Sequence, residues 1–502
     1  MDAPLRIFFV ASEVAPFART GGLGDVLGAL PKALAARGHD IRVVMPLYQQ
    51  VREGSFSLTE LVNDLVVPST TGNRNVRIWQ GVLPDPQASA VSVPVYFIEQ
   101  DEYFARPQLY GSETGDYPDN AARFSFFSQT ALALVARLEW FPDVWHCHDW
   151  QTALIPAYMR FVLGFDSRFS TAATVYTVHN LAYQGLFPAV TYPVTGLPPM
   201  LFQPAGVEFL GFLSFMKAGL LYADALTTVS PSYAEEICTP EFGFGLDGVL
   251  RTRRDALIGI LNGADYDVWS PDHDPSIVAR YDATDLRGKV QCKTALLRTF
   301  GLPEDPDIPV IGMISRLVDQ KGFDLLATAL ERLLTFGLRL VILGTGSAPY
   351  EQFLTGLAQT YPQKIGVRLA FDDVLAHQIE AGSDMFLMPS RYEPCGLNQI
   401  YSLRYGTIPI VRATGGLRDT VIPFDPTSGG GTGFVFTETS GDALLASVEE
   451  ALRLFPDRAS WQRLVQNAMA QDFSWQRSAA HYEELYRQVL TNKPQLTPRT
   501  SP

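Results

Sequence analysis

Short apolar runs rich in β-branched residues recur along the chain, and each is followed by a turn and then a helical pattern. In the first half they are Leu5–Ser12, Ile41–Pro46, Val93–Glu99, Asp143–Cys147, Ala173–His179 and Ala225–Ser230. In the second half they are Ile308–Ser315, Leu338–Gly344, Val367–Phe371, Asp384–Pro389 and Ile408–Arg412. Nearly continuous apolar strands alternating with helices predict parallel sheets covered on both faces. The polar, turn-rich stretch from Asn262 to about Pro306 reads as the divide between two halves. The predicted fold class is α/β, with two doubly wound, Rossmann-like domains facing each other across a deep cleft. Residues 1–262 and 263–472 are the two domains, 473–490 a last helix and 491–502 a loose Pro- and Thr-rich tail.

Two local patterns qualify this reading. The most apolar long stretch, Val207 to Leu226, carries Glu208, Lys217 and Asp224, so it is read as a buried helix and not a membrane span. Gly429, Gly430 and Gly431 read as a mobile loop near a strand end.

The chain has 502 residues, enough for two or three domains and a large core without disulfide or metal staples. Its 39 Lys and Arg against 53 Asp and Glu leave a formal charge of −14. With a pI near 5.0, general nucleic-acid binding and basic membrane-surface binding are excluded as expectations, because both need a cationic face. Cys147, Cys238, Cys292 and Cys395 are far apart and form no C-x-x-C pair, which fits a reducing cytoplasm. The N-terminus lacks a basic start, and Glu13 interrupts its apolar run, so no signal peptide is expected.

The candidate chemistry lies at strand ends. Thr20-Gly-Gly-Leu-Gly-Asp25 and Thr414-Gly-Gly-Leu-Arg-Asp419 match at five of six positions, one in each half. Gly21 and Gly22 let a backbone approach a ligand, and the helix after them points free N–H groups at an anion, with Arg19 beside it. A tight strand-to-helix turn without ligand is the other reading, which the second copy at Thr414, Gly415 and Gly416 makes less favoured. Gly344-Thr345-Gly346 ends another strand and suits a phosphate or ribose, although Pro349 leaves the dinucleotide pattern incomplete. Arg316 and Lys321 flank a loop and read either as a diphosphate clamp or as a solvated basic turn.

His146 and His148 share a strand face, but no third metal ligand is evident, so a hydrogen-bonded cleft edge with Asp149 is preferred to a metal site. His179 ends a strand and is either a satisfied core histidine or a functional one. Glu393 follows another strand in Ser390-Arg-Tyr-Glu-Pro-Cys-Gly-Leu397, where it caps a helix, holds a ligand, or does both.

Together these motifs resemble those of the bacterial glycogen synthases and plant starch synthases, retaining glucosyltransferases of the GT-B fold. The resemblance spans residues 5–490. It rests on Arg19–Asp25, His146-Cys-His-Asp-Trp150, His179-Asn-Leu-Ala-Tyr-Gln-Gly185, Leu261-Asn-Gly-Ala-Asp265, Ser315-Arg with Lys321-Gly322, Arg391–Leu397 and Thr414–Leu417. It implies transfer of glucose from ADP-glucose to the non-reducing end of an α-1,4-glucan, glycogen or starch, with configuration retained and with no metal or cofactor. Arg316 and Lys321 are then expected to stabilise the diphosphate leaving group. Glu393, with Cys395, Gly396 and Leu397, is expected to hold the donor glucose. His179 and Asp149 line the reacting carbon. Arg19, Gly21, Gly22, Asn262, Gly344, Gly346, Thr414, Gly415 and Gly416 are expected on the donor, and Phe371 on its adenine. The last helix is expected to cross back onto the first domain.

This chain departs from the family pattern in three places. Arg19 replaces a usual Lys, Phe371 a frequent Tyr, and Tyr401 stands where many GT-B enzymes carry a second Glu. The alternatives are another GT-B transferase using UDP-glucose or a small acceptor, and a catalytically silent glucan-binding protein. The four charged or ionisable residues Arg316, Lys321, Glu393 and His179 argue against silence. A phosphorylase is excluded by chain length and motif mismatch.

Overall fold

The computed structural model describes residues 3–68, 72–84, 92–112 and 115–493. The chain folds into two compact units. The first takes the chain up to Val229, then Ala234–Gly263 and the segment from Trp475 onward. The second takes Ala264–Ser474 together with Ser230–Tyr233.

The sheet of the first unit contains, among the described residues, β1 (Arg6–Val10), β2 (Asp40–Pro46), β3 (Thr59–Val67), β4 (Arg74–Val82), β5 (Pro94–Glu99), β6 (Val144–His148), β7 (Ala173–Val178), β8 (Ala225–Thr228) and β9 (Leu257–Gly259). Their order is β9-β8-β7-β6-β1-β2-β5-β4-β3. All pairings are parallel except β3 with β4 and β4 with β5. The strand order reverses between β1 and β6, so the loops leaving their carboxyl ends flank a topological switch point, where open α/β sheets bind ligands. Arg6 to Val10 is buried from its second residue onward, as a strand covered on both faces requires.

In the second unit β10 (Val310–Ile314), β11 (Arg339–Leu343), β12 (Ile365–Arg368), β13 (Met385–Met388), β14 (Ile408–Arg412) and β15 (Phe434–Phe436) form an all-parallel sheet. The order β12-β11-β10-β13-β14-β15 reverses between β10 and β13. One apolar layer packs Phe323, Leu326, Leu444, Val448 and Leu464 on one face of this sheet. Leu296, Leu297, Ile379 and Leu417 cover the other. Each unit therefore opens its own pair of loops at its own switch point.

The C-terminal helix Trp475–Asn492 belongs to the first unit and buries Trp475, Tyr482 and Tyr486. Arg37 Nε donates to Glu483 Oε2 at 2.7 Å, and Arg487 Nη2 pairs with Glu483 Oε1 at 2.9 Å. Residues 494–502, where most of the expected tail falls, lie outside the described residues.

Several expectations are corrected. Val207–Leu226 is not one helix. It is a hairpin of Glu208–Phe209 and Phe212–Ser214 followed by the helix Phe215–Tyr222. Leu210 and Gly211, both at positive φ, form the turn that interrupts it. Lys217 is taken up inside by the carbonyls of Pro204 and Glu208, each at 2.6 Å. The stretch from Asn262 to Pro306 is not turn-rich throughout, since Arg287–Phe300 is a helix of the second unit that buries Cys292, Leu296 and Leu297. Gly429–Gly431 is a pinned turn, in which the Asp425 carboxylate accepts from Thr427 N and Ser428 Oγ, and Asn467 Nδ2 donates to the carbonyls of Gly429 and Gly431. The strand expected at Val367–Phe371 ends at Arg368, which leaves Phe371 in the loop beyond it.

Candidate active site

In the first unit the chain leaves β1 through Ala11 and Ser12 to Glu13, whose side chain is buried. The Glu13 carboxylate accepts from Thr20 N at 2.5 Å, Thr20 Oγ1 at 2.8 Å and Tyr110 Oη at 2.6 Å. Burial holds its pKa above the ordinary carboxylate value, against those three bonds. Glu13 thus ties the glycine loop back to the strand that launched it. The helix α1 (Gly22–Ala36) starts directly after this loop.

The glycines in and after this loop serve different ends. A Cβ on Gly24 would meet Arg19 Cβ at 2.5 Å, and one on Gly28 would meet the Ala15 carbonyl at 2.8 Å, so both permit close packing. A Cβ on Gly21 would meet nothing within 4 Å. Gly21 and Gly22 are exposed at the helix start, so protein packing does not account for glycine at position 21. Arg19 is half-buried and donates through Nη1 to Asp25 Oδ1 at 2.7 Å, which orients one edge of a guanidinium that has five donors.

At the other side of the switch point, β6 delivers His146, His148 and Asp149. Asp149 has φ +54, a strained conformation for a non-glycine residue, and such strain clusters at functional sites. Its Oδ1 accepts from the backbone N–H of His179 at 2.7 Å. Burial pushes the Asp149 carboxyl up to about 7, opposed by that amide bond. His179, which follows β7, is only 9% exposed, and burial lowers its pKa to about 3, so its ring is neutral at pH 7. His179 Nε2 lies 2.9 Å from His148 Nδ1. His146 is engaged on both nitrogens, by Thr177 Oγ1 at 2.6 Å and Tyr486 Oη at 2.8 Å. Among the described residues no group of three or more His, Cys, Asp or Glu is arranged to hold a metal ion. Asn262 follows β9 in the same unit, and its buried Oδ1 has no hydrogen-bond partner there.

In the second unit the loops after β10 and β13 meet. Lys321 Nζ donates to Glu393 Oε2 at 2.6 Å, and Ser390 Oγ donates to the same oxygen at 2.9 Å. Glu393 is 5% exposed, whereas Arg316, on the same loop as Lys321, is exposed. An ammonium has three donors, so the bond to Glu393 leaves Lys321 capacity for an anion. Gly322 turns the chain after Lys321 at φ +72, where a Cβ would lie 2.0 Å from the Pro389 carbonyl. This close approach holds the Lys321 loop against the Glu393 loop.

Gly344 and Gly346 do similar work. A Cβ at either would strike the carbonyl of Ser315 at 1.9 Å or of Leu317 at 2.3 Å. Their backbone lies directly under the Arg316 turn, with Leu317 N donating to the Thr345 carbonyl at 2.8 Å. The pair therefore seats Arg316, and Gly346 N is already engaged by Glu351 Oε1 at 3.0 Å.

The second copy of the repeated motif differs from the first. Thr414, Gly415 and Gly416 are buried, and the short helix α2 (Gly415–Thr420) begins beneath the Glu393 turn. A Cβ on Gly415 would meet the Glu393 carbonyl at 2.0 Å, and one on Gly416 the Cys395 carbonyl at 2.1 Å. Gly416 N donates to the carbonyls of Glu393 at 3.1 Å and Pro394 at 3.2 Å. The two copies thus differ in packing: the first is open at Gly21, and the second is pressed beneath the Glu393 turn. Cys395 is buried, while Gly396 and Leu397 are half-exposed at the start of the helix Asn398–Arg404. Phe371 is 72% exposed.

Tyr401, the position of the absent second acid, is buried. It stacks on Trp269 at 4.1 Å with ring planes 4° apart. That position faces the core of this unit, where an unpaired carboxylate would be costly to bury.

Sequence reasoning missed the supporting groups. Glu13 was visible only as a charge interrupting an apolar run, yet a charge at the carboxyl end of a central strand is itself a signal. Arg412, buried at the end of β14, donates through Nε to the Ser390 carbonyl at 2.8 Å, and Gln320 Nε2 donates to the Tyr392 carbonyl at 3.2 Å. Their partners are backbone carbonyls, which no motif records.

Two α/β units, each with a largely parallel sheet and charged loops at its switch point, together with the comparisons that follow, place the chain among glycosyltransferases of the GT-B fold. The family models that match are the starch synthase catalytic domain, over residues 6–252, and glycosyl transferases group 1, over residues 299–468. A protein named glycogen synthase from Koribacter versatilis strain Ellin345 is 49% identical over 485 residues, covering 97% of this chain and 98% of that one. Another glycogen synthase, from Anaeromyxobacter dehalogenans strain 2CP-1, is 50% identical over 493 residues, covering 97% of this chain and 100% of that one. The solved catalytic domain of starch synthase IV from Arabidopsis thaliana, bound to ADP and acarbose, superposes with a TM-score of 0.90 at 35% identity, covering 98% of this chain and 100% of that chain. The chain belongs to the glycogen and starch synthase family.

Proposed function

We propose that this protein transfers glucose from ADP-glucose to the non-reducing end of an α-1,4-glucan with retention of configuration. The observation that carries the reading is the Lys321–Glu393 pair, 2.6 Å apart on adjoining strand-end loops, with exposed Arg316 on the Lys321 loop. Arg316 and Lys321 take the diphosphate, and Glu393 takes hydroxyls of the donor glucose. As the bond to the leaving phosphate lengthens, negative charge grows where the two cations already stand. The acceptor hydroxyl attacks from the face the diphosphate leaves, and its proton passes to the departing phosphate oxygen. No metal is required for this sequence.

In the first unit, the open start of α1 and Arg19 supply further anion contacts, and neutral His179 hydrogen-bonds the donor sugar. Phe371 stacks on the adenine. The ADP bound to the starch synthase IV relative supports the nucleotide choice. A cytoplasmic location is part of the same proposal; all four cysteines are free and buried, and among the described residues no helix is long and apolar enough to cross a membrane.

The test is elongation of maltoheptaose tagged at its reducing end. With ADP-glucose the reading expects a ladder rising one glucose at a time, trimmed back by β-amylase. Absence of any ladder, with the tagged acceptor intact, overturns it.

A further inference from the structure

His148 is fully buried, is not among the groups placed on substrate, and has one ring nitrogen accounted for. Its Nδ1 lies 2.9 Å from His179 Nε2, while its Nε2 is buried without a partner. Phe9 stacks against its ring at 5.7 Å and 18°, which fixes the ring plane. Burial and the neighbouring histidines hold His148 well below the ordinary histidine pKa, so the ring carries a single proton at pH 7.

That proton has two possible places. On Nε2 it would be a buried N–H with no acceptor, and Nδ1 would then accept from His179. On Nδ1 it donates to His179 Nε2, and the orphan is a bare lone pair. Orphaned buried N–H groups are rarer in proteins than under-used acceptors, so the second arrangement is favoured. It has a consequence one residue further on. If His179 Nε2 accepts, His179 must carry its own proton on Nδ1.

We propose that His148 is a positioning residue that locks His179 in the Nδ1–H tautomer, so that the largely buried histidine beside Asp149 presents a hydrogen-bond donor to the substrate. The backbone N–H of His179 is already fixed by Asp149 Oδ1 at 2.7 Å, so main chain and ring are set from two directions. The His148 ring is itself held in place. His146, its neighbour two residues back at 4.1 Å between ring centroids, is pinned by Thr177 and by Tyr486 of the C-terminal helix. A ring nitrogen fixed by a partner on the far side is a recurring device for setting which tautomer meets the substrate.

This proposal rests on the reading that His179 touches the donor sugar, but its first test does not use activity. The protein has seven histidines, few enough for ring-¹⁵N labelling, with the His179 signals assigned by their loss in His179→Ala. The expected result is a neutral His179 with Nδ1 protonated and Nε2 bare. Protonation of His179 on Nε2 overturns the proposal.

The second test compares two variants of similar composition. His148→Asn keeps an amide donor near the place of Nδ1, and His148→Gln places its amide near Nε2 instead. In His148→Asn the His179 tautomer is retained and kcat stays within about threefold. In His148→Gln the tautomer becomes mixed or reversed and kcat falls roughly tenfold or more, the range seen when an orienting partner is lost, with KM changing less. Equal kcat in the two variants at equal thermal stability overturns the proposal. Absence of glucose transfer in the wild type would strike at the enzymatic reading alone and leave the tautomer measurement standing.

Discussion

The two units carry nearly the same hexapeptide after a strand and use it in opposite ways. At Thr20–Asp25 the first residues lie open, and a side chain on Gly21 would touch no protein atom within 4 Å. At Thr414–Asp419 the glycines are buried, and side chains there would strike the backbone of the Glu393 turn at about the length of a covalent bond and a half, 2.0–2.1 Å. The first loop leaves Gly21 open, and the second supports the Glu393 turn. The chemistry divides in the same way. The first unit offers neutral histidines and buried acids with raised pKa values, while the second offers a paired cation and carboxylate. The lesson is that the same local sequence is assigned its role by what packs behind it.

The largest expected effect belongs to the second unit. Lys321→Ala should lower kcat by about 10²–10³, the loss found when one donor that stabilises developing charge is removed. The thermal midpoint should also fall, because the buried Glu393 carboxylate loses its cation, so turnover is compared well below that midpoint. Near-normal turnover in a well-folded variant would remove the leaving-group role.

Gly416→Ala comes next and tests the supporting loop. Its methyl group, 2.1 Å from the Cys395 carbonyl, should cost roughly 3 kcal/mol in stability and displace the Glu393 turn. Melting curves followed by calorimetry would show the loss, and an unchanged midpoint would mean the loop is not under that constraint. Gly21→Ala is the matched contrast. Its midpoint should match wild type, while KM for ADP-glucose should rise about tenfold from crowding between the new methyl group and the donor. A variant with unaltered KM would leave the open loop without a ligand.

The last effect is one of pH and concerns Asp149. Burial raises its pKa from the ordinary 3.8 to about 7 in the folded protein, so the folded state favours the neutral form. The corresponding stability is present below about pH 4 and is lost as pH rises through 7. Asp149→Asn lacks this term. Its thermal midpoint relative to wild type should therefore climb between pH 5 and pH 8. Parallel curves over that interval would show that Asp149 does not titrate there.

The apolar runs that form the centres of both sheets were legible because strands covered on both faces carry an unbroken apolar signal. β3 was not, because it is an antiparallel edge strand with exposed positions, and shifts in its register at Glu60/Val62 and Val62/Leu65 break the alternation that would betray it. β9 and β15 are three residues each, too short for any period. In the candidate site, Lys321 and Glu393 stood out as charges after apolar strands, and their 2.6 Å contact follows from the adjacency of β10 and β13 at the switch point. The unequal roles of the two glycine loops were beyond the sequence, since five matching residues look alike until the carbonyls of Glu393 and Cys395 are seen pressed against one copy. The packing role of Gly344 and Gly346 was hidden for the same reason. Their need for glycine comes from the backbone of residues 315–317, almost thirty positions earlier.

The measurement that reaches the central claim most directly is transfer of radiolabelled glucose into glycogen, with ADP-glucose and UDP-glucose run side by side under identical conditions. Robust incorporation is expected from ADP-glucose and at least about tenfold less from UDP-glucose, equivalent to roughly 1.4 kcal/mol of discrimination. Incorporation from neither donor, or a preference for UDP-glucose, would contradict that claim.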